Sequence, residues 1–277
     1  MTGTAGTLVL TLLVTAATII AAMLVTLAVA LRAGRHSVID TVWGLGFALV
    51  AVVAFAVSAG HGVTGRRVLI TVLTAIWGLR LAAYIGWRGR GAGEDPRYDQ
   101  MLAKAPGSRT AYAFRKVYLT QAGLIWLISI PVQAAMVAPG PLGAAAIAGG
   151  LIWLCGLAFE SVGDWQLARF KGNPANRGTV MDRGLWHYTR HPNYFGDACV
   201  WWGLFLVSCG SWLGLVTIFS PVLMTYLLAA GSGKPITEAR LAQRPGYAEY
   251  VARTSGFLPR PPRAAVSRPR SGLGDAQ

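Results

Sequence analysis

The sequence predicts an all-α fold, a polytopic membrane helix bundle with about seven transmembrane helices, its N-terminus outside and its C-terminus cytoplasmic. Three observations carry this expectation. Of the 277 residues, 54% are hydrophobic and only 13% are charged, where a soluble domain carries about 25% charged residues. The charges gather between apolar runs of roughly the 20 residues that a bilayer core requires. Basic residues concentrate in some connections and avoid others, which sets a sidedness.

The apolar runs fall at about 7–31, 38–60, 67–87, 117–138, 142–167, 193–209 and 211–231. No basic residue precedes the first, and it outlasts the apolar core of a signal peptide, so it is expected to remain as a helix. Loop 88–116 carries Arg88, Arg90, Arg97, Lys104, Arg109, Arg115 and Lys116. Loop 168–192 carries Arg169, Lys171, Arg177, Arg183 and Arg190, and a further basic stretch follows residue 232. The turns at 139–141 and 210 carry none. With seven spans the basic segments share one side, which the positive-inside rule makes cytoplasmic. Arg66 and Arg67 break the pattern. Residues 1–258 are expected to form one transmembrane domain, and the Pro-, Arg- and Ser-rich stretch 259–277 a disordered basic tail.

A net charge of +14 invites a nucleic-acid reading, but the distribution of the basic residues opposes it. Anionic headgroups or an anionic cofactor explain a positive face equally well. Cys155, Cys199 and Cys209 form no C-x-x-C pair, so neither a disulfide framework nor a zinc site is expected, and His187 and His191 do not make a metal site. Neither a Walker-type loop nor a G-x-G-x-x-G after a strand occurs. Any nucleotide must therefore be held by helix ends, loops and the bundle itself.

Ionisable residues at membrane depth mark function by default, since each centrally placed charge costs about 3 kcal/mol. Asp40, Glu160, Asp164 and Asp197 fall in or at the margins of the spans, and Arg80 lies well inside the third. Glu160 and Asp164 are four apart on one helical face. Asn193, Asp197 and Trp201 make a similar stripe after Pro192, which suits a first helical turn. Trp77, Arg80, Tyr84 and Trp87 run down one side of the third span. Trp43-Gly-Leu-Gly46 leaves room for close backbone approach.

At Arg190-His-Pro-Asn-Tyr-Phe-Gly-Asp197 the chain resembles the steroid 5-alpha-reductase C-terminal superfamily, and more closely its bacterial DUF1295-type membrane branch. Asp40-Thr-Val-Trp43, Asp95-Pro-Arg-Tyr98, Asp164-Trp-Gln-Leu, Asn173-Pro-Ala-Asn176, Gly184-Leu-Trp186, Glu238 after Ser232-Gly233, and Arg244-Pro-Gly-Tyr-Ala-Glu-Tyr250 extend the likeness over about residues 36–260. The resemblance implies a seven-helix bundle holding NADPH and reducing a lipid-like enone. Asn193 and Asp197 resemble positions beside the nicotinamide. Glu160, Asp164 and Arg169 resemble positions that hold its sugars and phosphates. Tyr188, Arg190, His191, Tyr194, Asn176, Glu238, Tyr247 and Tyr250 look similar to further cofactor contacts. Asp40 and Tyr84 are the nearest match to a carboxylate–tyrosine pair that polarises the substrate carbonyl, and with Asp197 they are the expected catalytic residues. One departure is Asp197, where the family pattern has Glu, which shortens the arm by about one methylene.

The expected activity is an NADPH-dependent oxidoreductase acting on a C=C bond conjugated to a carbonyl, in a lipid-like, possibly steroid, substrate, in a bacterial plasma membrane. Two rivals stand beside it. Arg-His-Pro-x-Tyr with a C-terminal Glu and Tyr-x-x-Tyr is shared with S-adenosylmethionine-dependent methyltransferases of the isoprenylcysteine carboxyl type. A non-enzymatic lipid-binding membrane protein could also keep the fold. The expected partners are a lipid-like small molecule and membrane lipids.

Overall fold

A backbone in hydrocarbon must bond to itself, which leaves helices as the simplest outcome for the apolar runs. A computed structural model describes residues 3–263. Among the described residues there is no strand, only an isolated parallel bridge between Thr189 and Ser255. In chain order the helices are α1 (Thr4–Ala33), α2 (Val38–Val57), α3 (Thr64–Arg88), α4 (Pro96–Leu102), α5 (Arg109–Ala113), α6 (Leu119–Ile128), α7 (Ile130–Ala135) and α8 (Ala144–Gly172). They continue with α9 (Leu185–Tyr188), α10 (Pro192–Ser208), α11 (Trp212–Leu215), α12 (Phe219–Tyr226), α13 (Lys234–Leu241) and α14 (Tyr247–Arg253).

Among the described residues five stretches are long and apolar enough to cross a membrane: α1, α2, α3, α8 and the run Trp212–Leu241. They mark the chain as a helical membrane protein. The other two expected spans are helical but built differently. Segment 117–138 breaks at Ser129, between α6 and α7, where Pro131 lacks the N–H a continuous ladder needs. Helix α10 has 17 residues.

The chain divides into two compact units. The first comprises Met1–Leu157 and Ala198–Tyr226, the second Ala158–Asp197 and Leu227–Gln277.

In the first unit, α2 and α3 cross at bare backbone. A Cβ on Gly44 would lie 2.3 Å from the Gly78 carbonyl oxygen, and one on Gly78 would lie 2.4 Å from that of Gly44. On α1, Thr7, Thr11 and Thr15 form a buried stripe. The Thr11 and Thr15 hydroxyls donate to the carbonyls one turn back, and Thr15 also reaches Gln133 Oε1 at 2.6 Å. Hydroxyls satisfied this way can sit in an apolar bundle and still bond across it. The exception to the charge asymmetry also has a structural cause. Arg66 is 1% exposed and donates to the carbonyls of Ala138, Pro139, Gly140 and Pro141. It ties down the Pro-Gly-Pro turn instead of reporting sidedness. Phe47, Trp77 and Trp201 pack ring against ring in the core.

In the second unit, α8 and α10 also meet closely. A Cβ on Gly163 would lie 3.1 Å from Pro192 Cγ, and Phe159 meets Phe195 edge-on. Gln166 Oε1 on α8 accepts from the Leu185 N–H, and Trp186 Nε1 donates to the Gly163 carbonyl, so α8 sets the start of α9. Residues 255–260 run beside 188–190: Arg190 N donates to Ser255 O, Thr189 Oγ1 to Phe257 O and Arg260 N to Tyr188 O. Of the tail expected to be disordered from 259, Arg260 and Arg263 thus hold backbone bonds, the latter to Arg253 O. Residues 264–277 lie outside the described residues.

Candidate functional site

In the second unit, Glu238 on α13 gathers the cations of the Arg-His-Pro turn. Arg190 Nε donates to Glu238 Oε1 at 2.9 Å, His191 Nε2 lies 3.2 Å from the same oxygen, and Lys234 Nζ is 3.4 Å from Oε2. Arg190 Nη1 also donates to the Thr254 and Val251 carbonyls. His191 stacks on Tyr194 with ring centroids 5.1 Å apart, and Tyr194 Oη lies 3.1 Å from Thr237 Oγ1. Burial pushes the His191 imidazole below its ordinary value, and Arg190 and Lys234 add to that, against the opposing pull of Glu238. The cluster is therefore a rigid knot joining the start of α10, α13 and the segment after α14.

A cavity of about 360 Å³ opens beside this knot. Lys171, Arg177, Arg190 and Arg244 supply its charge, and among the described residues no Asp or Glu lines it. Phe170, Trp186, Tyr247 and Tyr250 supply aromatic surface, and Asn173 and Asn176 supply amides. Local bonds fix several of these. Asn176 Nδ2 donates to Phe170 O, Tyr250 Oη donates to Trp186 O at 2.6 Å, and Arg244 Nη1 donates to Thr179 O at the rim. Burial raises the Tyr247 and Tyr250 hydroxyls above their ordinary values, so both stay neutral donors.

Glu160 and Asp164 are buried on α8, at 2% and 3% exposure, and Asp197 is buried on α10. Asn193 Nδ2 donates to Asp164 Oδ1 at 3.2 Å, a bond that joins α10 to α8 and that sequence spacing did not announce. Asn193 Oδ1 is buried and accepts no hydrogen bond. A buried amide acceptor without a donor is costly, so this atom is available to a ligand donor.

The first unit carries a separate polar cleft of about 530 Å³, lined by Arg35, Asp40, Arg88, Glu94 and Asp95 among others. Here the expected partner of Asp40 is replaced. Tyr98 Oη donates to Asp40 Oδ1 at 2.6 Å, and Arg97 Nη2 bonds Asp40 Oδ2 at 3.1 Å. Tyr84 instead lies under the guanidinium groups of Arg80 and Arg88. Burial and the neighbouring Asp40 carboxylate raise the Tyr98 hydroxyl, which is held as a neutral donor. Glu94 accepts the His36 and Ser37 N–H groups and so caps α2 from a distant loop.

The structure thus brings together Arg190, His191, Tyr194 and Glu238 in one knot, Asn176, Arg190, Tyr247 and Tyr250 in one cavity, and Asp164 with Asn193. Arg169 does not line the cavity; it is exposed and stacked on Trp165. Tyr188 is exposed as well, ring-on-edge to His187. Lys171, Asn173, Arg177, Trp186 and Arg244 complete the cavity and were not singled out as contacts by sequence. Tyr98 was visible only as part of the Asp95-Pro-Arg-Tyr motif. Its signal was the Pro at the first position of a short helix whose Asp95 cap accepts from Arg97 N–H.

Fold and clusters together define a helical membrane protein whose second unit encloses a cation-lined, aromatic cavity. The chain belongs to the DUF1295 family, described as a protein of unknown function, whose match covers residues 26–254. Neither the curated proteins nor the solved structures contain a match to it.

Proposed function

We propose that the protein is an NADPH-dependent reductase of a C=C bond conjugated to a carbonyl in a lipid-like, steroid-type substrate. It would work in a bacterial plasma membrane, as a bundle of about seven spans with a cytoplasmic C-terminus. The observation that carries the reading is the cavity with four cations, four aromatic rings, two amides and, among the described residues, no carboxylate. Guanidinium groups match phosphate oxygens in charge and geometry, and aromatic faces suit a base. S-adenosylmethionine carries a cationic sulfonium and no phosphate, so the same lining favours the polyanionic dinucleotide.

The residues present fit that cofactor in a second respect. Asn193 spends its N–H on Asp164 and keeps a buried acceptor open, which a carboxamide donor satisfies. NADPH, when bound, supplies the hydride. The chain's own work is to bind, orient and donate. Lys171, Arg177 and Arg244 neutralise phosphate charge; Asn193 and Asp197 orient the amide end; Glu238 keeps Arg190 in place. For the acid, a neutral phenol fixed by a carboxylate is required, so that a hydrogen bond strengthens as enolate charge develops. Tyr98 on Asp40 is assigned that role in place of Tyr84.

Thermal unfolding of the full chain in detergent tests this. NADPH at a hundredfold its Kd should stabilise by about 2.7 kcal/mol, S-adenosylmethionine should not, and Arg244→Ala should weaken NADPH binding about tenfold. Stabilisation by S-adenosylmethionine alone would transfer the protein to the methyltransferases. Silence toward both, with a response to lipids, would leave a lipid-binding protein.

A further inference from the structure

A second basic cleft, of about 250 Å³, lies where residues 251–263 fold back on the end of α14. It shares only Arg190 with the cofactor cavity. Arg190, Arg253, Arg260 and Arg263 line it, and among the described residues no Asp or Glu does. Arg190 and Arg253 have carboxylate partners, Glu238 and Asp182. Arg260 and Arg263 make no ion pair among the described residues. The cleft therefore holds more guanidinium charge than the protein neutralises.

Three further features point to a ligand. Thr254, 3% exposed, has a buried hydroxyl with no hydrogen-bond partner, and Arg253 Nε is likewise buried and unpartnered. Two donors without acceptors on adjacent residues that line one small cleft are unusual, because each costs its desolvation. The helix-end carbonyls that would repel an anion here are already taken: Val251 O and Thr254 O accept from Arg190 Nη1, and Arg253 O accepts from Arg263 N. Gly256 lets two cationic side chains approach this loop, since a Cβ there would lie 3.2 Å from Arg190 Nη2 and 3.0 Å from Lys234 Cε.

We infer that this cleft binds a phosphate group, independently of the cofactor cavity. A tetrahedral oxyanion offers several acceptors at once, which suits a hydroxyl, an Nε–H and two unpaired guanidinium forks. The group is carried either by an anionic lipid headgroup or by a free phosphate or phosphate ester. The inference does not depend on the reductase reading.

The test uses the full-length chain. Inorganic phosphate is titrated by calorimetry and by thermal unfolding against chloride of equal ionic strength. In parallel, vesicles containing phosphatidic acid are compared with vesicles of phosphatidylcholine alone. Phosphate, phosphatidic acid or both should stabilise the wild type saturably. The double variant Arg260→Ala/Arg263→Ala and the near-isosteric Thr254→Val should each weaken that response about tenfold, while Arg244→Ala leaves it intact. A response to phosphate alone identifies a free ligand; one to phosphatidic acid alone identifies a headgroup. No response above the chloride and phosphatidylcholine controls overturns the inference, as does an undiminished response in Thr254→Val. Loss of the response at saturating NADPH would also overturn it, by assigning the cleft to the cofactor. Absence of NADPH binding in the same preparation would sink only the reductase reading.

Discussion

At the residue scale, the chemistry rests on which groups are neutral donors. Tyr98 is one, bonded to Asp40 at 2.6 Å. Tyr98→Phe should lower turnover of an enone substrate about a hundredfold, with NADPH affinity unchanged. Tyr84→Phe should lower it less, because Asp40 holds the Tyr98 hydroxyl and not that of Tyr84. Equal loss in both variants would undo the assignment. His191 gives a pH signature. Its folded-state pKa lies below the ordinary 6.5, so as pH falls the unfolded chain takes up the proton first. Stability is therefore full above that value and drains away below it, until the folded imidazole is protonated too. Unfolding followed between about pH 7.5 and 5.5 should show this slope, and His191→Asn should flatten it. The motif around Arg190 was legible because polar residues packed against an apolar run are costly. Tyr98 was not, because sequence spacing cannot tell which tyrosine crosses to Asp40.

Among elements, the decisive events are close helix crossings and breaks. Gly44 and Gly78 face each other so tightly that either Cβ would meet backbone oxygen, which cannot swing away. Gly78→Ala should therefore cost about 3 kcal/mol, at the upper end of overpacking, read as a lowered unfolding temperature in detergent. Gly123→Ala is the control, since nothing lies within 4 Å of its missing Cβ. The Gly44–Leu–Gly46 spacing announced such an approach but not its partner. The runs at 117–138 and 193–209 looked like ordinary spans, since hydropathy averages over Ser129 and Pro131. The interruption appears only when local hydrogen bonding is resolved.

For the whole molecule, the charge asymmetry makes a prediction about sidedness. Reporters inserted in loop 89–95 and after residue 231 should share one face of the membrane, and one inserted at 139–143 should report the other. Opposite faces for the first two would contradict seven spans. Arg66 and Arg67 do not disturb this expectation. Arg66 is consumed by four carbonyls of the 138–141 turn, and Arg67 donates to Phe55 O and lies over its ring.

Composition and run length alone determined the helical membrane class, because a bilayer leaves an apolar chain few other ways to satisfy its backbone. The motifs likewise marked the family and the polar turn at 190–197. Tertiary structure decided the partners. It gave Asp40 to Tyr98, set Arg169 and Tyr188 outside the cavity, and brought Lys171, Arg177 and Arg244 together from segments more than 60 residues apart. The reason is physical: burial cost can be read along a chain, but a hydrogen bond or a cation cluster depends on distance in space, which only packing sets.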